Sequence, residues 1–456
     1  MTASPPPVRR SRPRGLSYQE ILDGDRTPPP ESYRWKSEAC EGPSQIPVER
    51  YLSRQWHERE KQLLWSRVWQ VACRAEHLRE VGDTVVYDIA DKSYVLVRVG
   101  PGEDGINAYP NACLHRGRAL RDGPGRVFEL QCPFHGFCWS LDGKLKRIPS
   151  AWDFPDLAPA SMTLPRVRVG QWGGFVFINP DPGCEALSDY LGVLPAMFTR
   201  WPLENRFTKA HVTKVINANW KLVQEAFMES YHVVTTHPQL LPGFGDANSQ
   251  YDVFGNIARA ISPRGVPSPL LAWQPSEQQQ FDSALDVRDD DPALFALGDD
   301  GRARHALASA AAASLRPVLG DDVDELSDAE LVDSYFVNVF PNAHPWAAYN
   351  QIFYRFRPNG DDHQSSLMEV LLLAPFSGPP PPPAPEIRLG PVDPWRDAME
   401  ALGSLARVFD QDEYNLEAVQ RGLRATLRPT INLADYQELK IRHFHQLYEK
   451  WLQIND

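Results

Sequence analysis

Two short cysteine–histidine pairs are the first residues in this sequence whose types and spacing indicate a metal centre. Cys113 and His115 are separated by one residue in NACLHRGRAL, and Cys132 and His135 by two residues in LQCPFHGFCWSLDG. Sixteen residues lie between the two pairs. Thiolate and imidazole are ligands of zinc. The same set can also hold an iron–sulfur cluster in which two Cys bind one iron and two His the other.

Three details favour a cluster of this second kind, a Rieske [2Fe–2S] cluster, over zinc. Cys-x-His is a poor half of a zinc finger. Each pair lies beside a glycine, Gly117 or Gly136, as in a tight loop that turns backbone N–H groups towards cluster sulfur atoms. Pro133 stiffens the second loop. We therefore expect the four side chains to hold a [2Fe–2S] cluster, with zinc as the alternative.

A second candidate metal site lies in EAFMESYHVVTTHPQL, residues 225–240. Non-haem iron that activates O₂ is usually held by two histidines and one carboxylate on one face, with the other positions open. His232 and His237 are the candidate histidines. Glu229, three residues before His232, shares a helical face with it and would brace the ring rather than bind iron.

The spacing of five between His232 and His237 does not suit a regular helix, because five residues at about 100° each leave two side chains roughly 140° apart. Pro238 disfavours helical geometry at His237, and the two preceding threonines are β-branched and weaken the helix. We therefore predict a helix over NWKLVQEAFMESYHVV that unwinds after Val234 and turns His237 back towards the metal.

The first site lies in a region with the texture of a small all-β domain. From Gly82 to about Val169, short runs such as TVVYDIA, SYVLVRV and RVFEL alternate with Gly, Pro, Asp and Asn. A segment with helix-like apolar spacing comes before this region and runs to Trp69. We predict one domain over residues 46–165. Residues 1–45 are rich in Pro, Arg and Ser and are expected to form an arm that is partly disordered.

The second site lies in a mixed helical and β region, residues 166–456. DSYFVNVFPN and SSLMEVLLLAPF indicate strands, and PWRDAMEALGSLARVFDQDEYNLEAVQRGLRA indicates one long helix or two. The Asp- and Ala-rich stretch 275–330 is an insertion or a pocket cap. The proline run at 377–386 is expected to form an exposed loop or polyproline segment.

Composition and charge limit the class of protein. A chain of 456 residues, 42% hydrophobic and 23% charged, suits a globular protein of two or three domains. The net charge of −12 argues against nucleic acid as the main partner. We find no run of about 18 apolar residues, and six cysteines in so long a chain do not indicate a disulfide framework. We therefore expect a cytoplasmic protein without membrane association.

Both sites resemble one known family. CLHRG followed by CPFHGFCWSLDGKL is similar to the Rieske domain of ring-hydroxylating oxygenases, and NWK at 219–221 followed by Glu229-x-x-His232-x₄-His237-Pro resembles their catalytic domain. Rieske proteins of respiratory complexes carry extra loop cysteines, whose positions are filled here by Arg118 and Phe134. The resemblance implies an α+β fold. This fold combines an all-β Rieske domain with a catalytic domain whose antiparallel sheet is flanked by helices, of the helix-grip or START-like kind.

The resemblance also implies a third iron ligand far along the chain. FDQDEYNLEAVQRGL resembles the C-terminal helix that carries the ligand carboxylate, and Glu417 and Gln420 fit the family's E-x-x-Q pattern. Counting back from them selects Asp412, with Asp410 and Glu413 as rivals. By position, Ala226, Val233 and Val408 are candidates for the substrate pocket. Arg355 and Arg357 would either meet a substrate carboxylate or be surface charges on a strand.

In the family, the residue that matches Glu229 hydrogen-bonds a Rieske histidine of the neighbouring subunit and bridges the two metal centres. Many aromatic dioxygenases have Asp there, whereas Glu is typical of members that act on quaternary ammonium compounds, among others. The resemblance further implies a homotrimer, or an α₃β₃ assembly with a small subunit, because the cluster of one subunit lies near the iron of the next.

The implied activity is that of a terminal oxygenase. NAD(P)H electrons would arrive through a reductase, with or without a ferredoxin, and O₂ would be activated at a mononuclear Fe(II). The product would be a hydroxylated, cis-dihydroxylated or demethylated organic substrate, with an aromatic one favoured, as in aromatic hydrocarbon catabolism. One alternative is a monooxygenase or demethylase of a quaternary ammonium or other non-aromatic substrate. The alternative of another class is a Rieske electron-transfer protein without oxygenase activity.

Overall fold

The computed structural model describes residues 15–288, 296–297 and 301–454. Within these residues the strands form five sheets, of two, three, four, three and eight strands. The helices are Tyr18–Leu22, Glu49–Leu52, Arg54–Arg59, Leu187–Leu191, Leu194–Phe198, Trp220–Glu225, Val233–Thr236, Glu277–Ala284, Ala303–Leu319, Asp328–Val332, Met399–Leu402, Leu405–Ala425 and Leu439–Leu452, with a π-helical turn at Glu60–Leu64.

Residues 70–179 form three small sheets around the two cysteine–histidine loops. The four-stranded sheet contains Ile106–Pro110, Lys92–Arg98, Asp83–Ile89 and Gly125–Arg126, in that order. The strands Leu130–Gln131, Cys138–Trp139 and Leu145–Arg147 form the sheet that carries the second loop. The predicted β-rich texture of this region is confirmed.

The third of these sheets joins residues from both sides of the predicted domain boundary at 165. Its order is Arg168–Trp172, Phe175–Asn179 and Gln70–Arg74, all antiparallel. Val167 also forms an isolated antiparallel bridge to Ala108. The predicted domain limits therefore stay predictions, and the name cluster domain is used below for residues 70–179.

The eight-stranded sheet, called the catalytic sheet below, organises the rest of the chain. Its strand order is Gln250–Phe254, Ile257–Ser262, Ser334–Val339, Ala343–Pro345, Ile352–Asn359, Asp362–Pro375, Arg206–Ile216 and Glu386–Leu389. Neighbouring strands are antiparallel except for the last pair, which is parallel. A separate two-stranded sheet pairs Gln45–Pro47 with Thr430–Asn432.

The two faces of the catalytic sheet meet different neighbours. On the strand Arg206–Ile216, Ala210 and Val212 point into a hydrophobic core shared with Phe409 of the helix Leu405–Ala425. His211 and Thr213 alternate with them and line a cavity on the other face. One face of the sheet therefore packs against the helix Leu405–Ala425, and the other faces the cluster domain.

The helix Leu405–Ala425, called the metal helix below, is amphipathic. Its buried residues are Ala406, Phe409, Asp412, Leu416, Gln420 and Leu423, which are three or four positions apart. Gly403, with a φ of 61°, separates this helix from Met399–Leu402, so the predicted segment forms two helices. Because Asp412 belongs to the buried stripe, packing of the helix carries a carboxylate into the core.

Part of the N-terminal segment packs against the rest of the chain. Tyr18, Leu22 and Tyr33 are buried in the main core, and the Tyr18 hydroxyl donates a 2.7 Å hydrogen bond to Asp333. Burial of these side chains holds residues 18–33 against the folded chain, and the arm over residues 1–45 stays a prediction. Residues 1–14 of that arm lie outside the described residues.

The stretch 275–330 contributes three helices, Glu277–Ala284, Ala303–Leu319 and Asp328–Val332. The Ser283 hydroxyl donates to the carbonyl of Gln239 at 2.8 Å, so the first helix packs on the chain just after His237. This placement agrees with a pocket cap, which stays a prediction. The proline run at 377–386 is largely exposed, as predicted.

No helix among residues 15–288 and 301–454 combines the length and apolar composition needed to cross a membrane.

Candidate metal centres

The two cysteine–histidine loops share one backbone design. In the first loop, the Cys113 N–H donates to the carbonyl of Arg118, and the Gly117 N–H donates to the carbonyl of Cys113. In the second loop, Cys132 and Gly136 make the same two bonds, with Phe137 as the acceptor residue. Both glycines have positive φ, 77° and 76°, a region that only glycine adopts readily. The loops therefore present two buried thiols in matching settings.

The histidines of the two loops lie together. The ring centroids of His115 and His135 are 4.8 Å apart, and His115 stacks on Phe137 at 4.7 Å. Nδ1 of His115 is buried and has no hydrogen-bond partner among the described residues. A buried nitrogen without a partner is costly, and a metal bond would satisfy it. The donor set of two thiols and two imidazoles thus fits a Rieske cluster.

The tips of these loops are at the surface. Leu114 is 36% exposed and Phe134 is 58% exposed, and the exposed Arg116 lies 2.8 Å from Nε2 of His135. Cys138, in contrast, is buried in a strand, and its pKa is raised to about 11 by burial and by Glu129. Cys138 therefore differs from the two loop thiols in both its backbone setting and its surroundings.

The second site brings together three residues from distant parts of the chain. One ligand atom each from His232, His237 and Asp412 lies within 4.8 Å of the other two. Asp412 Oδ1 is 2.8 Å from Nε2 of His237 and 3.5 Å from Nε2 of His232. Two imidazoles and one carboxylate grouped in this way form the donor set of a mononuclear non-haem iron site.

The predicted rivals of Asp412 have other partners. Asp410 accepts hydrogen bonds of 2.8 Å from Arg396 and from the backbone N–H of Trp395. Glu413 pairs with the buried Lys214 at 3.1 Å. Of the three acidic candidates on the metal helix, Asp412 is the one that the structure brings to the histidines.

Glu229 holds His232 in place. Its Oε1 lies 2.7 Å from Nδ1 of His232, and its Oε2 accepts from the His232 backbone N–H at 3.0 Å. Nε2 of His232 is thereby left to face Asp412. Burial opposes the charged imidazolium, but Glu229 and Asp412 raise the pKa of His232 to about 9. The surrounding carboxylates thus make this site favourable for a cation.

The helix before these histidines ends earlier than we predicted. It spans Trp220–Glu225, and a separate short helix, Val233–Thr236, follows His232. The Ser230 N–H donates to the Tyr251 hydroxyl at 3.0 Å, and the N–H groups of Tyr231 and His232 donate to Glu229. These bonds replace those of a continuing helix, so the prediction of unwinding after Val234 is wrong.

His237 leaves the short helix with φ −126° and ψ 53°, just before Pro238. This backbone agrees with the predicted effect of the proline. Nδ1 of His237 lies 3.1 Å from Oε1 of Gln411, which also accepts from Gln239 at 2.9 Å. Sequence reasoning missed Gln411, whose only signal was its place beside Asp412.

The NWK residues anchor the segment that carries the histidines. Asn219 caps the helix by accepting from the Lys221 N–H, and Gln420 of the metal helix accepts from the Asn219 N–H at 3.2 Å. Trp220 and Lys221 bind the buried Glu60 at 2.9 and 2.5 Å. These contacts join the segment both to the metal helix and to the N-terminal part of the chain.

A buried polar chain, also missed from sequence, begins at Glu225. Its carboxyl lies 3.0 Å from the Tyr51 hydroxyl and 2.9 Å from Nε2 of His445. Arg50 bonds Nδ1 of His445 at 3.1 Å and pairs with Glu449. Burial raises the pKa of Glu225 to about 8, although Tyr51 and the nearby cations oppose the shift.

The predicted pocket residues lie on the two segments that carry the metal ligands. Ala226 is half-buried and Val233 is buried in the segment that carries the histidines, and Val408 lies one helical turn before Asp412. Phe227 packs in an aromatic group with Tyr354 at 5.1 Å and Phe409 at 6.1 Å between ring centroids. A role of the first three in binding substrate stays a prediction.

The structure corrects the interpretation of Arg355 as a surface charge. Arg355 is buried, pairs with Glu369 on the adjacent strand and donates to the carbonyls of Val71 and Ala72. A cross-strand carboxylate and two carbonyls satisfy the guanidinium away from water. Arg355 and Arg357 line a cavity on the face of the catalytic sheet turned away from the metal helix.

Two regions of the chain match known protein families. Residues 68–158 match the family model of the Rieske [2Fe–2S] domain. Residues 198–454 match the model of the ring hydroxylating alpha subunit, catalytic domain. The two matches agree in position with the two candidate metal centres.

Curated relatives include oxygenases of two kinds. The oxygenase subunit of carnitine monooxygenase from Escherichia coli (strain K12) is 31% identical over 215 residues, which are 46% of this chain and 56% of that protein. The large subunit of anthranilate 1,2-dioxygenase from Acinetobacter baylyi is 31% identical over 188 residues, or 40% of each chain. The chain thus spans about half the length of the curated relatives it matches.

Solved structures share the fold over most of the chain. A quaternary ammonium Rieske monooxygenase in complex with L-carnitine has a TM-score of 0.63 at 17% identity, covering 91% of this chain and 97% of that one. A naphthalene 1,2-dioxygenase variant bound to phenanthrene has a TM-score of 0.62 at 18% identity, covering 90% and 92%. At these identities the likeness concerns the fold alone.

Proposed function

This chain belongs to the ring-hydroxylating alpha-subunit family, and we propose that it is the terminal oxygenase component of a Rieske non-haem iron oxygenase. The grouping of His232, His237 and Asp412 within 4.8 Å carries this proposal. An electron carrier with only a Rieske cluster has no use for a second metal-ligand set of this kind. The proposed reaction is the hydroxylation, cis-dihydroxylation or oxidative demethylation of an organic molecule.

Two metal groups are assigned to the residues that fit them. Cys113, His115, Cys132 and His135 would hold the [2Fe–2S] cluster, and His232, His237 and Asp412 the mononuclear Fe(II). When bound, the cluster would supply single electrons and the iron would bind and activate O₂. We propose that the electrons come from NAD(P)H through a reductase, with or without a ferredoxin.

The protein's own side chains orient the iron ligands. Glu229 at Nδ1 of His232 and Gln411 at Nδ1 of His237 each leave the Nε2 atom of the ring for Asp412 and the metal. Partners of this kind fix the tautomer and direction of a ligand ring. Burial of Asp412 and His237 keeps the site away from bulk water.

Glu229 has a second proposed role as the bridge to the Rieske cluster of a neighbouring subunit. The exposed loop tips at Leu114 and Phe134 and the exposed Tyr231 next to His232 support such a contact. We accordingly propose a homotrimer, or an α₃β₃ assembly with a small subunit, in which the cluster of one chain serves the iron of the next.

An aromatic compound is the proposed substrate class. Phe227, Tyr354 and Phe409 form an aromatic group, and Phe409 lies about one turn before Asp412 on the buried side of the metal helix. Such rings pack well against a planar arene.

A quaternary ammonium compound is the second candidate. A cationic ammonium group also binds over aromatic faces. Glu229 and the names of the relatives, which include carnitine, glycine betaine and choline monooxygenases, favour this class.

A product screen tests the proposal and separates the two classes. The cluster- and iron-loaded protein is supplied with a surrogate reductase, NADH and O₂, and products and peroxide are measured for arenes, aromatic acids and quaternary amines. Oxygenated or demethylated product from one class identifies it. The oxygenase proposal fails if the protein holds about two irons per chain rather than about three, the cluster accounting for two.

A further inference from the structure

We propose that a cavity between the cluster domain and the catalytic sheet is a second binding site, for a small organic carboxylate, with Arg357 as its counter-charge. The cavity has a volume of about 880 Å³, within the range of roughly 300–1,000 Å³ typical of ligand pockets. It lies on the face of the sheet turned away from the metal helix and is therefore separate from the iron site.

The walls of this cavity come from both domains. The catalytic sheet contributes His211, Arg355, Arg357 and Glu369, and the cluster domain contributes Cys73 and Tyr87 from two of its strands. The proline segment 383–385 borders the opening. Ligand sites occur preferentially at such domain interfaces, and a ligand here would contact both halves of the chain.

Glu369 is the carboxylate at the centre of this wall, and its two oxygens are both in use. Oε1 lies 2.9 Å from Nε2 of His211, and Oε2 accepts from Nε of Arg355 at 2.6 Å. Arg355 also donates to the carbonyls of Val71 and Ala72 at 2.6 and 2.9 Å. These groups satisfy one another and leave no free carboxylate oxygen for a second arginine.

Arg357 is that second arginine. Its Nη1 donates to the carbonyl of Asp88 at 2.9 Å, but its closest ion-pair contact is 3.7 Å long, to the Glu369 oxygen that Arg355 already uses. Its Nε is buried and has no hydrogen-bond partner among the described residues. A guanidinium with 13% side-chain exposure and a shared counter-ion is costly to bury, and a carboxylate fits its donor fork.

The other arginines around the cavity have carboxylates of their own. Arg74 lies 3.5 Å from Glu76, Arg126 lies 2.7 Å from Asp83, and Arg388 lies 2.9 Å from Glu386. Among these arginines, Arg357 is therefore the one that lacks a close carboxylate of its own. The cavity also has apolar wall residues, among them Val215, Phe353 and Leu371. They would contact the hydrocarbon part of an organic anion, which inorganic phosphate lacks.

The test measures ligand binding to the cluster- and iron-loaded protein by calorimetry and thermal unfolding. Benzoate, its neutral counterpart benzamide and inorganic phosphate are compared. Benzoate is expected to bind and to raise the unfolding temperature, while benzamide and phosphate do neither. Arg357→Gln is expected to weaken benzoate binding at least about tenfold, because the charged hydrogen bonds are lost.

Arg388→Gln is the matched control. Arg388 lines the same cavity, but it is 80% exposed and pairs with Glu386, so its loss should leave benzoate affinity unchanged. Arg357→Lys, which keeps the charge but loses the fork, should retain weaker binding and serves if Arg357→Gln does not fold. The visible cluster spectrum checks the fold of each variant.

Three results of the benzoate measurements would each overturn the proposal, and a fourth comes from the iron-site variant described after them. These are equal benzoate affinity of Arg357→Gln and the unchanged protein, equal binding of benzamide and benzoate, and the absence of any benzoate binding. A His232→Ala variant must still bind benzoate in a way that depends on Arg357. Loss of binding in His232→Ala would place the ligand at the iron site instead. This experiment is independent of oxygenase activity.

Discussion

The carboxylate of Asp412 lies 2.8 Å from Nε2 of His237, although the two residues are 175 positions apart in the chain. His237 lies between the short helix Val233–Thr236 and Pro238, and Asp412 belongs to the buried stripe of the metal helix. Packing of that helix against the catalytic sheet therefore completes the three-residue donor set.

Asp412→Ala should remove the mononuclear iron and leave the cluster intact. Iron content should fall from about three to about two atoms per chain, and product formation should be lost, because one of three protein ligands is missing. Iron analysis and the cluster's visible spectrum measure this. Asp410→Asn is the control, since Asp410 pairs with Arg396; if it lost iron and Asp412→Ala did not, the ligand assignment would be wrong.

Gln411→Ala should weaken iron binding by about 10- to 100-fold, the usual effect of losing a partner that orients a ligand histidine. The ring of His237 would lose the bond at Nδ1 that holds its direction. Iron affinity is measured by chelator competition. Gln239→Ala, which removes a donor to Gln411 but not the bond to His237, should have a smaller effect. Unchanged affinity in Gln411→Ala would show that the ring is held by packing alone.

Glu229→Gln should slow the passage of electrons from the cluster while both metals stay bound. Gln retains an oxygen for one of the bonds to His232 but loses the charge beside its ring. A decrease of at least about 10-fold in the rate of cluster reoxidation is expected in a single turnover with substrate and O₂. The rate of reoxidation is measured by stopped-flow absorbance. An unchanged rate would show that Glu229 does not carry electrons to the iron.

Cys132→Ala should abolish the Rieske cluster, whereas Cys138→Ala should not. Both thiols are buried within the same β region, but Cys132 lies in the loop that matches the Cys113 loop and Cys138 lies in a strand. The visible spectrum and the EPR signal of the reduced protein distinguish the two variants. Retention of the cluster signal in Cys132→Ala would contradict the ligand set.

Glu225→Gln should make the stability of the protein less dependent on pH. Burial raises the pKa of Glu225 to about 8, whereas the pKa of a Glu in the unfolded chain is about 4.3. Between these pKa values the folded state holds a proton that the unfolded state has lost. Stability should therefore fall as pH rises, by up to about 1.4 kcal/mol per pH unit from this group.

Urea unfolding of Glu225→Gln and the unchanged protein from pH 5 to 9 measures this difference. The variant should gain relative stability as pH rises. Glu449→Gln, at the more exposed end of the same polar chain, is the matched control and should not produce that gain. Parallel pH curves for Glu225→Gln and the unchanged protein would show that Glu225 is ionised in the fold.

The ligand residues could be proposed from sequence because few side chains bind these metals and their local spacing is preserved in the loops. The interruption of the helix after Glu225 could not be predicted, because the Ser230 N–H there donates to the hydroxyl of Tyr251, which lies on the strand Gln250–Phe254. Burial of Arg355 likewise depends on Glu369 across a hairpin. Contacts between distant segments decided each outcome that differed from the prediction.

The order of segments along the chain has a consequence for how the protein matures. All four candidate cluster ligands lie between residues 113 and 135, in loops between short strands of the cluster domain. The iron site, in contrast, lacks its carboxylate until synthesis has passed residue 412 of 456. Because domains fold as the chain emerges, the four candidate cluster ligands can come together before the catalytic sheet is complete. The three candidate ligands of the mononuclear iron can come together only after residue 412 has been synthesised.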